Sequence, residues 1–486
     1  MKQKFLDALR PMVIPELDPA FRPAALSQRA LESCLESSSS LETVHLALVR
    51  PDQSVYRFKI TLLPDVPEHV ELNTFLLERQ IKFLLWSRGA ATIQSDASPA
   101  LCQRLNQYYV ENPLGQFDAA MMGEKIFESP FKVHSVATSE LPEAKSESSP
   151  LGGHLSGCRI GFDLGGSDQK IAAMIDGEAI FSEEIVWDPI PQQDPQWHYD
   201  HIMSLLQRAA SKLPQVDAIG GSAAGVYVQN QVKVASLFRG IPEDLFQSRV
   251  KGLFMEMKRA WRNIPFEVVN DGEVTALAGS MNLGHPAVLG IAMGTNQAAG
   301  FVTPEGQITS WLNELAFAPI DYRDGAPRDE WSGDVGCGVQ FFSQQAVARL
   351  IPASGLEIDR SLPFPEQLVA VQTFMAKGDD RAAAIYRTMG VYLGYALAQY
   401  KDYYPFEHLL LLGRVTTGSG ADQMIEKAKE VLHQEFPIKA ASIAFHLPGE
   451  KEKRHGQAMA AASLPALAVA SQQTGEHFHR MGDPDR

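Results

Sequence analysis

The segment from Arg159 to Ile175, RIGFDLGGSDQKIAAMI, runs as an apolar strand into Asp163, two glycines and the hydroxyl of Ser167, then restarts as a second apolar strand. Such a turn can hold the phosphates of a nucleotide. Gly165 and Gly166 remove side chains where backbone N–H groups must approach an anion, and Ser167 adds a donor. Asp163, at the strand end, can face a hydrated Mg²⁺ rather than the phosphate itself. A glycine hairpin beside an acidic residue is also an ordinary surface turn, so the assignment depends on partners elsewhere in the chain.

Four further apolar strands end in small or polar residues, which is where an α/β sheet builds its ligand crevice. IGGSAAG (219–225) carries Ser222 between small residues, and VVNDGE (268–273) carries Asn270 and Asp271. IAMGTNQAAG (291–300) repeats the strand, glycine and hydroxyl pattern at Gly294 and Thr295, and LLGRVTTGSG (411–420) leads into a helix. Two such turns suggest one clamp on each side of a polyphosphate. Other chemistries lack their signatures. Ser222 follows a strand, but Gly220-Gly221-Ser222-Ala223-Ala224 misses the closing glycine of a nucleophile elbow. There is no G-x-x-x-x-G-K-[ST] loop and no G-x-G-x-x-G after a strand. Cys34, Cys102, Cys158 and Cys337 form no CxxC pair and read as buried small hydrophobes. His198 with His201, and His477 with His479, have no acidic or cysteine partner at ligand spacing and read as surface or satisfied histidines.

The surrounding chain is that of a soluble globular protein. Its 486 residues, 45% hydrophobic, suffice for two or three cores, and a net charge of −15 without clustered Lys and Arg argues against a nucleic-acid surface. Charges and prolines interrupt MKQKFLDALRPMVIPELDP too often for a signal peptide, and no run approaches ~18 apolar residues. The expectation is a cytoplasmic protein with no membrane or nucleic-acid partner. Residues 1 to about 40 give little signal and are expected to be partly ordered. TVHLALV and SVYRFKITL predict a half-buried hairpin, and 74–88 predicts a helix with Leu77, Ile81, Leu84 and Arg88 on one stripe, ended by Gly89. The Ser-, Pro- and Gly-rich stretch 138–157 reads as a linker and the main boundary, and 381–401 as a helix. The reading is therefore an α+β N-terminal region (1–150), a first α/β lobe (158–290), a second (291–470) whose final helix returns to the first, and a tail (471–486).

From Arg159 to about Ala468 the chain resembles the ROK family of bacterial sugar kinases and repressors, within the actin-like, hexokinase-like ATPase superfamily. Asp163-Leu164-Gly165-Gly166-Ser167-Asp168-Gln169-Lys170 matches the first phosphate motif D-x-G-G-T-x-x-K with Ser for Thr. IGGSAAG, with Ser222, is similar to the small-residue turn near the sugar, and Asn270-Asp271 to the family's N-D pair. Gly294-Thr295 through Gly300 resembles the second phosphate motif, and Gly413 with its turn the adenosine motif. The resemblance implies a two-lobed α/β fold of the actin-like, ribonuclease H-like kind. It implies ATP and Mg²⁺ as cofactors, Asp271 as the base, and Asn270, Glu314 and Ser222 at a sugar-like substrate.

The departures bear on function. Where the family carries G-E-x-G-H, the chain reads Asn313-Glu314-Leu315-Ala316-Phe317, keeping the Glu but not the His. Where the family carries its cysteine motif, the chain reads WSGDVGCGVQFFS, with Cys337 alone and Val339 at the place of a Glu. A zinc site is not expected. Asp334 and Gln340 are candidates to replace lost substrate contacts, and Gly413-Arg414 stands for Gly-Gly in the adenosine turn. The resemblance leads first to an ATP-dependent carbohydrate kinase. The second reading is a non-catalytic, ligand-sensing regulator, without DNA binding because residues 1–150 show no basic recognition helix. The N-terminal region is compatible with a lid, an oligomerisation element or a substrate-selecting module, and self-association is left open.

Overall fold

The computed structural model describes residues 1–35, 40–146, 151–447 and 456–467. Three sheets organise these residues. In the N-terminal region, β1 (Glu42–Val49), β2 (Val55–Leu62), β3 (Thr92–Ser95) and β4 (Lys132–Ser135) lie in the order β2-β1-β3-β4. In the first lobe, β5 (Cys158–Leu164), β6 (Asp168–Ile175), β7 (Glu178–Val186), β8 (Ala218–Ala223) and β11 (Phe266–Asn270) lie in the order β11-β8-β5-β6-β7, with β9 (Val226–Val228) and β10 (Gln231–Val234) as a small hairpin. In the second lobe, β12 (Val288–Met293), β13 (Gln297–Val302), β14 (His408–Leu412) and β15 (Ala444–His446) lie in the order β13-β12-β14-β15.

The topology explains why so many strands end in functional-looking residues. β5, β8 and β11 are parallel, as are β12, β14 and β15, while β5-β6 and β12-β13 are antiparallel hairpins. Parallel strands need covered faces, and every residue of β5 and β8 is buried. One face of the first sheet packs Phe162, Leu164 and Ile171 against Ile202, Leu205 and Leu206 of the helix Pro195–Ala210. The other face meets the helix Gly456–Ala462 at backbone distance. A Cβ on Gly161 would lie 1.7 Å from the Ala458 carbonyl oxygen, and one on Gly220 1.7 Å from that of Ala461. Arg159 fixes that helix by donating to the Ala462 and Pro465 carbonyls at 3.2 and 2.8 Å. Because backbone stands on the far side, Gly220→Ala is expected to cost about 3 kcal/mol in urea unfolding, at the upper end for overpacking. A loss below about 1 kcal/mol would show that the helix shifts freely.

The N-terminal region shares a continuous core with the second lobe, whereas the first lobe has its own. Residues 1–35 pack onto that core through their apolar side chains, contrary to the partial order expected. Phe5, Leu9 and Phe21 have no exposed surface, and Phe21 lies edge-on to Tyr392 at 4.9 Å. The polar run after them falls largely at 36–39, outside the described residues, as do His477, His479 and the tail. The hairpin β1-β2 forms with the expected strands. The helix runs Val70–Arg88 and ends at Gly89 (φ +81°), but it is buried on nearly all sides rather than along one stripe. Arg79 and Lys82 of this helix lie in a closed ion network with Glu78, Asp118 and Asp334. The stretch 138–157 is not a free tether where it is described. Lys145 pairs with Val55, the Leu151 carbonyl accepts from Ile308, and Gly152 donates to Leu464. All four cysteines are buried and free. His198 is buried with its Nε2 3.1 Å from the Pro189 carbonyl, and His201 Nδ1 lies 2.7 Å from that of Trp197.

Candidate active site

Asp163 stands near the end of β5 with only 5% of its surface exposed. The register of the sheet sets its neighbours: Ser222 is its partner on β8 and Lys170 on β6. Ser222 Oγ donates to Asp163 Oδ1 at 2.6 Å, and Lys170 Nζ lies 3.5 Å from Asp163 Oδ2 and 3.0 Å from Asp168 Oδ1. Burial raises the Asp163 carboxyl, opposed by the Ser222 hydroxyl and Lys170. The turn after it is closed by Gly165 N–H donating to the Asp168 carbonyl at 2.9 Å, and Gly166 and Ser167 are exposed. Ser167 Oγ donates to Asp168 Oδ2 at 3.1 Å. Asp168 thus puts a carboxylate beside the turn, a feature the sequence reading passed over although alternation on β6 places it on the same face as Lys170.

Asn270 ends β11 and caps the helix Asp271–Leu283: its Oδ1 accepts from Gly272 N–H and its Nδ2 donates to the Gly225 carbonyl, both at 2.7 Å. Most of its amide is therefore engaged by the fold, leaving one N–H and one lone pair. Asp271 opens the helix, half-buried. Its carboxyl is pushed up to about 6 by burial and then by the charge of Asp163. Glu314 is pushed up to about 7 by burial and then by the charge of Asp271. The charge of Asp163 thus bears on Asp271, and that of Asp271 on Glu314. Among the described residues no group of three or more His, Cys, Asp or Glu side chains is arranged to hold a metal ion. A single carboxylate suits a hydrated Mg²⁺, which keeps several waters and shares its coordination with substrate phosphates.

The second lobe repeats the turn. Gly294 N–H donates to the Asn296 carbonyl at 2.9 Å between β12 and β13, and Thr295 is exposed. Gly413, at φ +94°, closes against the end of β12, where a Cβ would lie 2.4 Å from the Met293 carbonyl oxygen. The turns at Gly294 and Gly413 are therefore adjacent. Beside them is a cavity of about 270 Å³ lined by Thr275, Ala278, Ala292, Leu412 and Gly413 among others.

Two substrate candidates are corrected. Asp334 accepts from Arg79 at 2.9 and 3.2 Å and pairs with Lys82 at 3.1 Å, so its charge is matched inside the protein. Gln340 donates to Gln345 Oε1 at 2.7 Å. Cys337 and Val339 are buried in the same loop. Sequence reasoning also missed Glu273, which accepts from the Asn313 side chain and from Phe301 N–H and is pushed up to about 8, chiefly by burial.

No protein-family model matches the chain, and no curated protein matches it significantly. Solved structures do. A ROK family transcriptional regulator, described as a homologue of the E. coli MLC protein, aligns with a TM-score of 0.50 at 20% identity over 64% of this chain and 78% of that one. A ROK hexokinase from Thermus thermophilus aligns at 0.49 and 16% identity over 63% and 96%. A ROK family glucokinase from Streptomyces griseus, solved with glucose and AMPPNP, aligns at 0.45 and 18% identity over 63% and 98%. At this identity the likeness is one of fold alone: over about two thirds of its length the chain shares the two-lobed α/β architecture of that ROK regulator, and an α+β N-terminal region precedes its two larger sheets.

Proposed function

We propose that the protein is an ATP-dependent phosphotransferase acting on a hydroxyl of a sugar or sugar-like molecule. The observation that carries this reading is Asp163 at a strand end beside Ser222 and Asp271 at the start of the helix capped by Asn270, with a glycine turn presented by each lobe. Bound MgATP supplies an activated phosphoryl group. Gly165, Gly166, Ser167, Gly294 and Thr295 would hold the phosphate tail, Gly413 the nucleoside side, and Asp163 the hydrated Mg²⁺. Phosphoryl transfer asks a protein mainly for position and charge stabilisation. Asp271 would take the proton of the acceptor hydroxyl as its oxygen bonds to the γ-phosphorus and the bond from that phosphorus to the bridging oxygen breaks to release ADP, with Asn270, Glu314 and Ser222 on the acceptor side.

The test is acceptor-stimulated ADP release over hexoses, amino sugars and polyols. Because Asp271 acts only when ionised and is held at about 6, kcat/KM should rise with pH through about 6 and level off above about 7. A rate that falls over this interval would exclude Asp271 as the base. One observation favours the second reading, a ligand-sensing regulator. Lys170 already bridges Asp163 and Asp168, and the Ser167 hydroxyl already donates to Asp168, so the cation and the hydroxyl of the first turn are engaged from within. Nucleotide binding with no acceptor-stimulated turnover would decide for it.

A further inference from the structure

The segment that carries Glu314 has no regular structure of its own. The backbone N–H groups of Asn313 and Glu314 are held by the N-terminal region. Asn313 N–H donates to the Ser87 carbonyl at 3.1 Å and Glu314 N–H to the Trp86 carbonyl at 2.9 Å. Both acceptors are free carbonyls at the C-terminal end of the helix Val70–Arg88, where no further turn exists to use them. Asn313 sits at φ +51°, a conformation unfavourable for a non-glycine residue, and is over-determined by its surroundings. Its side chain donates to Glu273 and accepts from Tyr404 at 2.8 Å.

Two arginines lock the helix end to the segment. Arg50, 8% exposed after β1, donates to the Arg88 carbonyl, to the Gly89 carbonyl at 3.3 Å and to Ser310 Oγ at 3.0 Å. It therefore ties the hairpin, the helix end and the start of the Glu314 segment with one rigid fork. Arg88 is fully buried, with its guanidinium carbon 3.6 Å from the centre of the Trp311 ring and 4.3 Å from that of Tyr404. The same region also reaches the first lobe, where Glu128 pairs with Lys233 and Lys251 at 2.6 and 2.7 Å.

We infer that the N-terminal region is part of the acceptor half of the site, and that Arg50 is a positioning residue that sets Glu314 opposite Asp271. Glu314 lies on a loop, and a displacement of about 1 Å in such a group can change a rate by up to ~10²-fold, so its support decides whether it functions. This inference rests on the phosphotransferase reading for its consequence but not for its geometry.

The experiment compares the full chain with Arg50→Ala, Arg50→Lys and the milder Ser310→Ala. Hydrogen exchange at the Asn313 and Glu314 amides should quicken by roughly tenfold in Arg50→Ala, while β5 and β12 are unchanged. Ser310→Ala, which removes one of the Arg50 hydrogen bonds, should give a smaller effect in the same direction. With D-glucose, D-mannose and N-acetyl-D-mannosamine as probes, acceptor KM should rise about tenfold in Arg50→Ala with the KM for MgATP unchanged, a split that general destabilisation does not produce. Unaltered exchange at these two amides in every variant, or equal shifts in both KM values, would overturn the inference. Absence of turnover by the unmodified protein on every probe would instead remove the phosphotransferase reading, and the exchange measurement would still decide this one.

Discussion

Asp271→Asn is expected to lower acceptor-stimulated ADP release by about 10²- to 10⁴-fold, the usual contribution of a positioned general base, with little change in the affinity for MgATP. The substitution keeps the shape of the side chain at the first position of the helix Asp271–Leu283 and removes only the capacity to accept a proton. Asp271 is pushed up to about 6 because burial and the neighbouring Asp163 disfavour its charge, so a neutral amide relieves repulsion and the fold should not weaken. Below pH 6 the unmodified protein should itself slow, since its carboxyl is then protonated, and the ratio between the two proteins should narrow. The measurement is a coupled ADP assay with the acceptor panel at pH 5.5 and 8, beside a nucleotide-binding titration. A variant within about threefold of the unmodified protein at pH 8 would rule out the base, and equal loss of nucleotide affinity would point to a structural fault.

The half of the candidate site that rests on strands was legible in the sequence. β5, β8 and β11 run parallel in one sheet and β12 and β14 in another, so their C-terminal ends emerge on one side of each sheet, where Asp163, Ser222, Asn270 and Gly294 lie. Residues 1–35 gave no signal because their buried groups, Phe5, Leu9 and Phe21, are scattered rather than periodic, and they bury against helices hundreds of residues away. The helix Val70–Arg88 misled for a related reason. Its Arg79 and Lys82 lie off the expected stripe yet are buried, because Asp118 and Asp334 supply their counter-charges, while Arg88, expected on the stripe, is buried against the face of Trp311. Asp168 and Glu273 were missed because their roles depend on which side chain stands across a turn or a helix, and no spacing rule supplies that. The same holds for Asn313, whose left-handed backbone is held by the neighbouring helix end together with Glu273 and Tyr404.

The ion network is where that reasoning has its largest consequence for stability. Arg79 pairs with Glu78 and Asp334, and Lys82 with Asp118 and Asp334, all in the protein interior. Burial alone would raise the Asp334 carboxyl, but the Arg79 and Lys82 cations hold it down at about 2. Asp334→Ala leaves those cations without their shared partner, and breaking a buried pair in this way costs about 3–5 kcal/mol. The loop that bears Asp334 also carries Cys337 and joins the second lobe to the helix Val70–Arg88, so the loss should appear as a lower urea midpoint for the unit formed by the N-terminal region and second lobe. The pH dependence has a fixed sign. Because the folded carboxyl lies below its usual value near 4, the network's contribution is whole above about pH 4 and is lost as pH falls toward about 2. Asp334→Ala should therefore flatten the acid limb of the stability curve as well as lower its plateau. A loss below about 1 kcal/mol at pH 7 would mean that water reaches Arg79 and Lys82 and replaces the carboxylate, which the closed packing around them does not allow.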